Sequence, residues 1–449
     1  MAMNDRREIF GWAMYDWANS GFQATVITVM SGPYLTALAR ADVGENGAIW
    51  DLGPFHVTAK SFFPFCIGLS VFLQLFLLPI LGAIADYTNL KKQLMAFFCY
   101  TGSATTCLLF FITGHRYLAG GLLLIVANLC FGASIVLYNA FLNDIATPDR
   151  RDKVSSRGYA LGYLGGGLLL LANLALLQSA GALGISEGLA VRLSLCSAGL
   201  WWGGFSIITF RRLRTRSAAT ALPAGGSILA AGVRQLLASF RVLVRLPQTL
   251  RYLLAYMLFN DGIQTVIAMA SLFLSQELFV AHNLPEDQSF LVGLVLMIQF
   301  AAFFGAHLFE RIAAFIGTKR AILLSLVIWT GTIVYAYGWL QTTAQAWVMG
   351  GVIATVLGGS QALSRSLFSQ MIPAGREASF FGVYEISERG TSWIGPVIFG
   401  VVAAATNSYR QAMLSLIVLF LAGIIGLLLT DTARAVRDAT ATQPLAPSR

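Results

Sequence analysis

The chain has 449 residues, of which 57% are hydrophobic and only 11% charged, with a formal net charge of +9 and a mean hydropathy of +0.70. A soluble domain carries roughly 25% charged residues, so this composition excludes a water-soluble globular protein. Apolar segments of about 20 residues recur along the whole length between short polar joints, the pattern of an all-α, polytopic integral membrane protein.

In chain order, twelve spans are predicted over 9–38, 61–85, 93–114, 117–142, 155–181, 187–210, 249–280, 289–311, 319–341, 344–371, 378–405 and 409–430. Only the joints 39–60 and 211–248 are long. The second separates an N-terminal six-helix bundle (1–210) from a C-terminal one (249–431), and 432–449 forms a tail. Before the first span, Arg6-Arg7, an apolar run and Ala37-Leu38-Ala39 imitate a secretory signal. The apolar run is about twice too long for one and contains Asp16, so it reads as a retained helix.

Basic residues orient the spans. With the N-terminus cytoplasmic, the tails and even-numbered joints hold Arg6, Arg7, Lys91, Lys92, the cluster Arg150, Arg151, Lys153 and Arg157, and most of the remaining Lys and Arg. The opposite side holds Arg40, Lys60, Arg116, Arg192 and Arg410, while Arg365 and Arg389 fall inside spans. This asymmetry puts both termini in the cytoplasm. It also accounts for the positive charge as topology, with no nucleic-acid partner implied. A multi-pass, monomeric protein of a bacterial inner membrane is expected. The cysteines at 66, 99, 107, 130 and 196 show no paired spacing, and the four histidines are scattered, so neither disulfides, a metal nor a cofactor is expected.

The first span raises the central question. Asp16, Asn19 and Gln23 stand at i, i+3 and i+7 and share a helix face. A charge at mid-membrane costs about 2.5–3.5 kcal/mol and tends to face a bundle interior or an aqueous cavity. At about 1.5 Å per residue, Asp16 lies roughly 10 Å deep and Gln23 roughly 21 Å. Asn19 and Gln23 suit interhelical hydrogen bonding as well as a binding site; an ionisable Asp16 favours function. Span 11 repeats the device with Glu385, Glu388 and Ser392, and Arg389 follows Glu385 by one turn. Arg365 and Glu385 are equidistant from Gly375 in the joint between spans 10 and 11. They read either as an ion pair closing the hairpin or as part of a substrate- or proton-binding cluster. Gly162 and Gly165-Gly166-Gly167 lack the ending of a phosphate loop and suit close helix packing. Trp201-Trp202, Trp339 and Trp347 read as interfacial anchors. In the middle joint, Arg211, Arg212, Arg214 and Arg216 precede Pro223 and Gly225-Gly226; Arg234, Arg241 and Arg245 then form a narrow stripe. That stretch reads as an amphipathic helix lying on the cytoplasmic leaflet.

The halves are related. Asn19-Ser-Gly-Phe-Gln23 returns as Asn260-Asp-Gly-Ile-Gln264, Gly68-Leu69 with Gln74 as Gly293-Leu294 with Gln299, and Pro148 leading to Gly158 as Pro373 leading to Gly382. Three matches in order indicate two tandem six-helix repeats in the same orientation.

The joint Gly82-Ala-Ile-Ala-Asp86-Tyr-Thr-Asn-Leu-Lys91-Lys92 resembles the loop 2–3 signature of the major facilitator superfamily, with Asn89 and Leu90 as departures. Trp12-Ala-Met-Tyr-Asp16-Trp-Ala-Asn19, Arg157 to Gly167, Ser364-Arg365-Ser366-Leu367 and Ile372-Pro373-Ala-Gly-Arg376-Glu377 resemble its vacuole-effluxer-like branch, whose fungal members export amino acids from the vacuole. The resemblance implies the major facilitator fold, with spans 1, 4, 7 and 10 around a central cavity. That would gather Asp16, Asn19, Gln23, Asn260, Asp261, Gln264 and Arg365, with Glu385 and Glu388 added from span 11. Such a set suits a small zwitterion, its carboxylate toward Arg365 and its ammonium toward Asp16 or Asp261. Asp16, Asp261, Glu385 and Glu388 are the candidates to carry a coupling proton. Asp86 would steady cytoplasmic closure at the N-terminus of span 11, Lys91 and Lys92 would anchor to anionic headgroups, and Glu310 would play the part of Asp86 toward span 5.

No nucleotide-binding or nucleophile motif is present, so the expectation is an ion-driven secondary transporter of a small polar metabolite rather than an enzyme. Amino acids come first, sugars or small organic acids second. A nutrient sensor or lipid scramblase of the same fold is the alternative.

Overall fold

The computed structural model describes residues 3–44, 48–52, 55–215, 237–285, 287–389 and 393–442. Helices begin where the sequence supplies a cap. Asp5 accepts from the Arg7 amide at the start of α1 (Arg6–Gly21), an exposed hydrogen bond that holds the Asp5 carboxyl below its ordinary pKa. Ser186 caps α7 (Glu187–Arg212), Asp287 caps α10 (Gln288–Ile316), and Thr342 with Gln345 forms a capping box on α12 (Thr343–Gln370). Gly317, at φ 89°, makes the tight turn from α10 into α11 (Thr318–Gly338).

The N-terminal bundle comprises α1 and its continuation, α3 (Ala59–Tyr87), α4 (Lys91–Leu108), α5 (Tyr117–Ile145), α6 (Arg151–Gln178) and α7. The C-terminal bundle comprises α9 (Pro247–Leu278), α10, α11, α12, α13 (Glu377–Arg389) with α14 (Ile394–Thr406), and α15 (Tyr409–Ser415) with α16 (Ile417–Leu428). Among the described residues ten helices are long and apolar enough to cross a membrane. Spans 1 and 11 complete the twelve. Span 1 runs α1, a π-helix over Phe22–Met30, then α2 (Ser31–Val43).

Span 11, expected over 378–405, is described as α13 and α14, with residues 390–392 between them outside the described residues. Ser392 lies outside the described residues. Joint 39–60 carries an unanticipated antiparallel hairpin, β1 (Ala48–Leu52) with β2 (Phe55–Thr58). In the middle joint the described part is helical over 237–244, here α8. It exposes Leu237, Phe240, Arg241, Val244 and Arg245 together and buries Ser239 and Leu243. Arg216, Pro223, Gly225-Gly226 and Arg234 lie outside the described residues. The tail forms α17 (Thr432–Ala441), which packs Ala435 and Ala439 inward.

Two tryptophans differ from the anchor reading. Trp202 is fully buried against Phe22 and Phe131, and Trp201 stacks on Trp17. Trp339 and Trp347 are exposed.

The halves meet through their cytoplasmic portions, α3 and α5 against α13 and α6 against α10 and α12. Gly82 permits this approach: a Cβ there would strike the Ala378 carbonyl. Among the described residues the outermost hydrogen bond between halves is Tyr163 to Gln361, near mid-membrane. Single cysteines introduced over 40–60 or 281–288 are expected to react with a membrane-impermeant reagent added outside, and cysteines over 237–246 only after permeabilisation. External labelling of 237–246 would reverse the topology.

Candidate functional site

The buried charges of span 1 and span 10 meet. Asp16 in α1 is 8% exposed and Arg365 in α12 is 2% exposed. Both terminal nitrogens of Arg365 stand 3.4 Å from Asp16 Oδ2, which also accepts from the Tyr138 hydroxyl at 2.7 Å. The rest of the guanidinium is engaged as well. Nε donates to Ser155 Oγ at 2.9 Å, Nη2 to the Ser155 carbonyl at 2.9 Å, and Nη1 to Asn139 Oδ1 at 3.2 Å. Its carbon lies 4.9, 5.5 and 4.3 Å from the ring centres of Trp12, Tyr138 and Tyr159, within cation–π range. The Trp12 indole in turn donates to the Tyr138 carbonyl.

Local sequence makes this possible. Gly158 leaves no side chain where one would run into the Asp16 carboxylate. Gly162 and Gly166 let α6 lie against Ser20 of α1. Arg365 is thus held by α1, α5 and α6 of one half while its backbone belongs to the other.

The remaining predicted residues divide. Glu385 does not pair with Arg365; it accepts from Asn139 Nδ2 at 2.9 Å and joins the network through that amide. Asn19 is buried beside the pair in sequence, and its Nδ2 has no hydrogen-bond partner. Gln23 is exposed, at the second residue of the π-helix Phe22–Met30. Asn260 Nδ2 donates to the Glu388 carbonyl, and the Glu388 and Gln264 side chains are half-buried. Asp261 lies apart from Arg365 in the hydrogen-bond network: its Oδ2 accepts from the Gly395 amide at 2.7 Å, in the first turn of α14.

At the cytoplasmic face, the Asp86 carboxylate accepts from the Ala378 amide at 2.9 Å, the Ser379 amide at 2.8 Å and the Ser379 hydroxyl at 2.5 Å. A carboxylate on the N-terminal amides of α13 is electrostatically favoured. Two expectations here are corrected. Lys91 turns inward to Asp144 at 3.1 Å and over the Phe141 ring, because the end of α5 brings a carboxylate within direct reach; Lys92 is half-buried. Glu310 makes no hydrogen bond or ion pair among the described residues. The joint between spans 8 and 9 reaches span 5 through Thr318, which donates to Asp152 at 2.5 Å.

Sequence reasoning missed Tyr138, Tyr159, Asn139, Ser155 and Asp144. Asn139 and Asn143 one turn apart in span 4, and Tyr159 and Tyr163 in span 5, were the available signals. Asn143 and Arg151 both donate to the Ser369 carbonyl, a further bond between halves.

Two six-helix halves meeting around buried charges define a transporter of the major facilitator type. The family model described as "Vacuole effluxer Atg22 like" matches residues 4–440, and the chain belongs to that family. It is 31% identical over 416 residues to the "Uncharacterized MFS-type transporter YxiO" of Bacillus subtilis, covering 92% of each chain. It is 27% identical to "Autophagy-related protein 22-1" of Penicillium rubens, covering 90% of this chain and 80% of the relative. Among solved structures, the major facilitator transporter FucP in its outward conformation superposes with a TM-score of 0.68 at 12% identity, over 95% of this chain and 98% of that one.

Removing one partner of a buried pair leaves an uncompensated charge, at a cost of about 3–5 kcal/mol. Ser369 is fully buried between the halves, so a cysteine there reports cytoplasmic opening. Arg365→Ala is expected to raise its labelling rate at least tenfold, the effect of about 1.4 kcal/mol. Unchanged labelling would show that the pair does not hold the halves together.

Proposed function

We propose that the chain is a proton-coupled secondary transporter of a small zwitterionic metabolite, amino acids first, in a bacterial inner membrane. The observation that carries this reading is the Asp16–Arg365 pair, a salt bridge between the halves near the outer limit of their contact. A zwitterion is the ligand class that exchanges with it without stranding a charge. Its carboxylate takes Arg365, its ammonium takes Asp16, and the bond between the halves is replaced by two bonds to substrate. A substrate with one charge leaves one partner buried and unpaired, which is costly. Asn19, with its free amide donor, adds a hydrogen bond on the same face.

A proton acts at the same carboxylate. Neutral Asp16 no longer neutralises Arg365, so protonation from outside weakens the cytoplasmic closure and return of the proton inside restores it. Glu385, tied to Arg365 through Asn139, is the second group on this path. Asp86 sets how fast the cytoplasmic side closes, since its three hydrogen bonds form only when the halves meet. The matching family's printed description, a vacuole effluxer, agrees with a carrier of small metabolites.

The test is uptake of labelled amino acids into proteoliposomes under an imposed proton gradient. Asp16→Asn is expected to abolish gradient-driven accumulation and keep gradient-free exchange, and Arg365→Ala to lose carboxylate-bearing substrates. Asp86→Asn is expected to slow turnover more than it weakens binding. Wild-type transport by both Asp16→Asn and Arg365→Ala would reduce the polar face to helix packing.

A further inference from the structure

Two arginines at the cytoplasmic rim of the N-terminal bundle share one aromatic ring. The guanidinium carbon of Arg157 in α6 lies 5.7 Å from the ring centre of Phe10 in α1, and that of Arg212, the last residue of α7, lies 4.7 Å from it. Both arginines are exposed. Among the described residues neither side chain forms an ion pair or a hydrogen bond. The acids that precede Phe10 on the chain are engaged elsewhere. Asp5 pairs with the Arg214 side chain at 2.6 Å, and the buried Glu8 accepts from the Arg214 amide at 3.0 Å.

Packing brings the two cations together. A Cβ at Gly11 would strike Arg212 Cβ, so α7 ends against α1 only because that position is bare. Like charges gathered at one ring repel each other, and an exposed ring attracts each of them only modestly. An anion between them removes the repulsion. Toward the membrane interior the same helix faces turn apolar. Leu161, Leu164 and Leu168 follow Arg157 at i+4, i+7 and i+11, and Leu168 is exposed. On α1, Trp17 follows Phe10 at i+7 and stacks on Trp201 of α7. The charged mouth is thus continuous with a strip that meets hydrocarbon.

We propose that Arg157 and Arg212 hold the phosphodiester of an anionic phospholipid of the cytoplasmic leaflet, with Phe10 beneath it and an acyl chain along the apolar strip. A guanidinium forms paired hydrogen bonds with phosphate oxygens, and basic pockets between transmembrane helices on the cytoplasmic side bind acidic headgroups. A headgroup of the phosphatidylglycerol kind fits because it brings a negative charge and no ammonium. The lipid phosphate already lies at the depth of the helix ends, and its chains match the leucines below. Such a lipid braces α1 and α6, two of the helices that hold Arg365, from the side that faces the bilayer. This goes beyond the carrier reading and does not rest on it.

The full-length protein in detergent is melted with added phosphatidylglycerol, phosphatidylcholine or glycerol 3-phosphate, with tryptophan fluorescence as the readout. A saturable rise of several degrees is expected with phosphatidylglycerol alone. The double variant Arg157→Gln, Arg212→Gln is expected to melt like wild type without lipid and to lose the rise. Arg437→Gln, which removes an exposed cation from the tail helix, is expected to keep it. Phe10→Leu retains both charges and carries the test if the double variant does not fold; it is expected to need at least threefold more phosphatidylglycerol. An equal rise with phosphatidylcholine, or one retained in the double variant, would overturn the assignment. An equal rise with glycerol 3-phosphate would make this a site for free phosphate instead, and loss of the rise in Arg437→Gln would reduce the effect to net charge. No substrate enters the measurement, so either result leaves the carrier reading as it stands.

Discussion

An ion cannot sit alone in a hydrocarbon slab, and the architecture follows from how Arg365 escapes that condition. Its guanidinium, carried by the C-terminal half, finds its carboxylate, its hydroxyl and amide partners and its three aromatic rings in the N-terminal half. Solvating one charge therefore brings two bundles together. The glycines of α6 and the aromatic residues of α1, α5 and α6 are arranged to leave this one side chain a polar pocket.

The same economy governs span 11. It offers backbone amides at two places, the first turn of α13 and Gly395 in α14. Both sets meet a carboxylate from another span: Asp86 of α3 at α13, Asp261 of α9 at α14. One contact crosses between halves and the other stays within a half. Span 11 is consequently fastened at its inner end to the opposite bundle and at Gly395 to its own.

Much of this could be read from the residues. Spans, orientation and repeat were legible because bilayer thickness, charge asymmetry and tandem motifs act on long stretches. Asp16 and Arg365 were legible singly, since an ionisable residue in an apolar run is conspicuous. Their pairing was not, because it joins residues 349 positions apart, and similar depth pointed to Glu385 instead. The π-helix of span 1 has no signature in composition. Lys91 went to Asp144 because the approach of spans 3 and 4 is a tertiary fact.

That π-helix has a mechanical meaning. A π turn closes its hydrogen bonds five residues apart and so takes more residues per turn than an α turn. Phe22–Met30 is accordingly a stretch of chain wound wider and shorter than its neighbours. Rewinding it as α-helix would lengthen span 1 and turn everything beyond Met30 about the helix axis, while α1 stayed fixed by Asp16. Span 1 is built as a screw whose thread lies just outside the charge that anchors it.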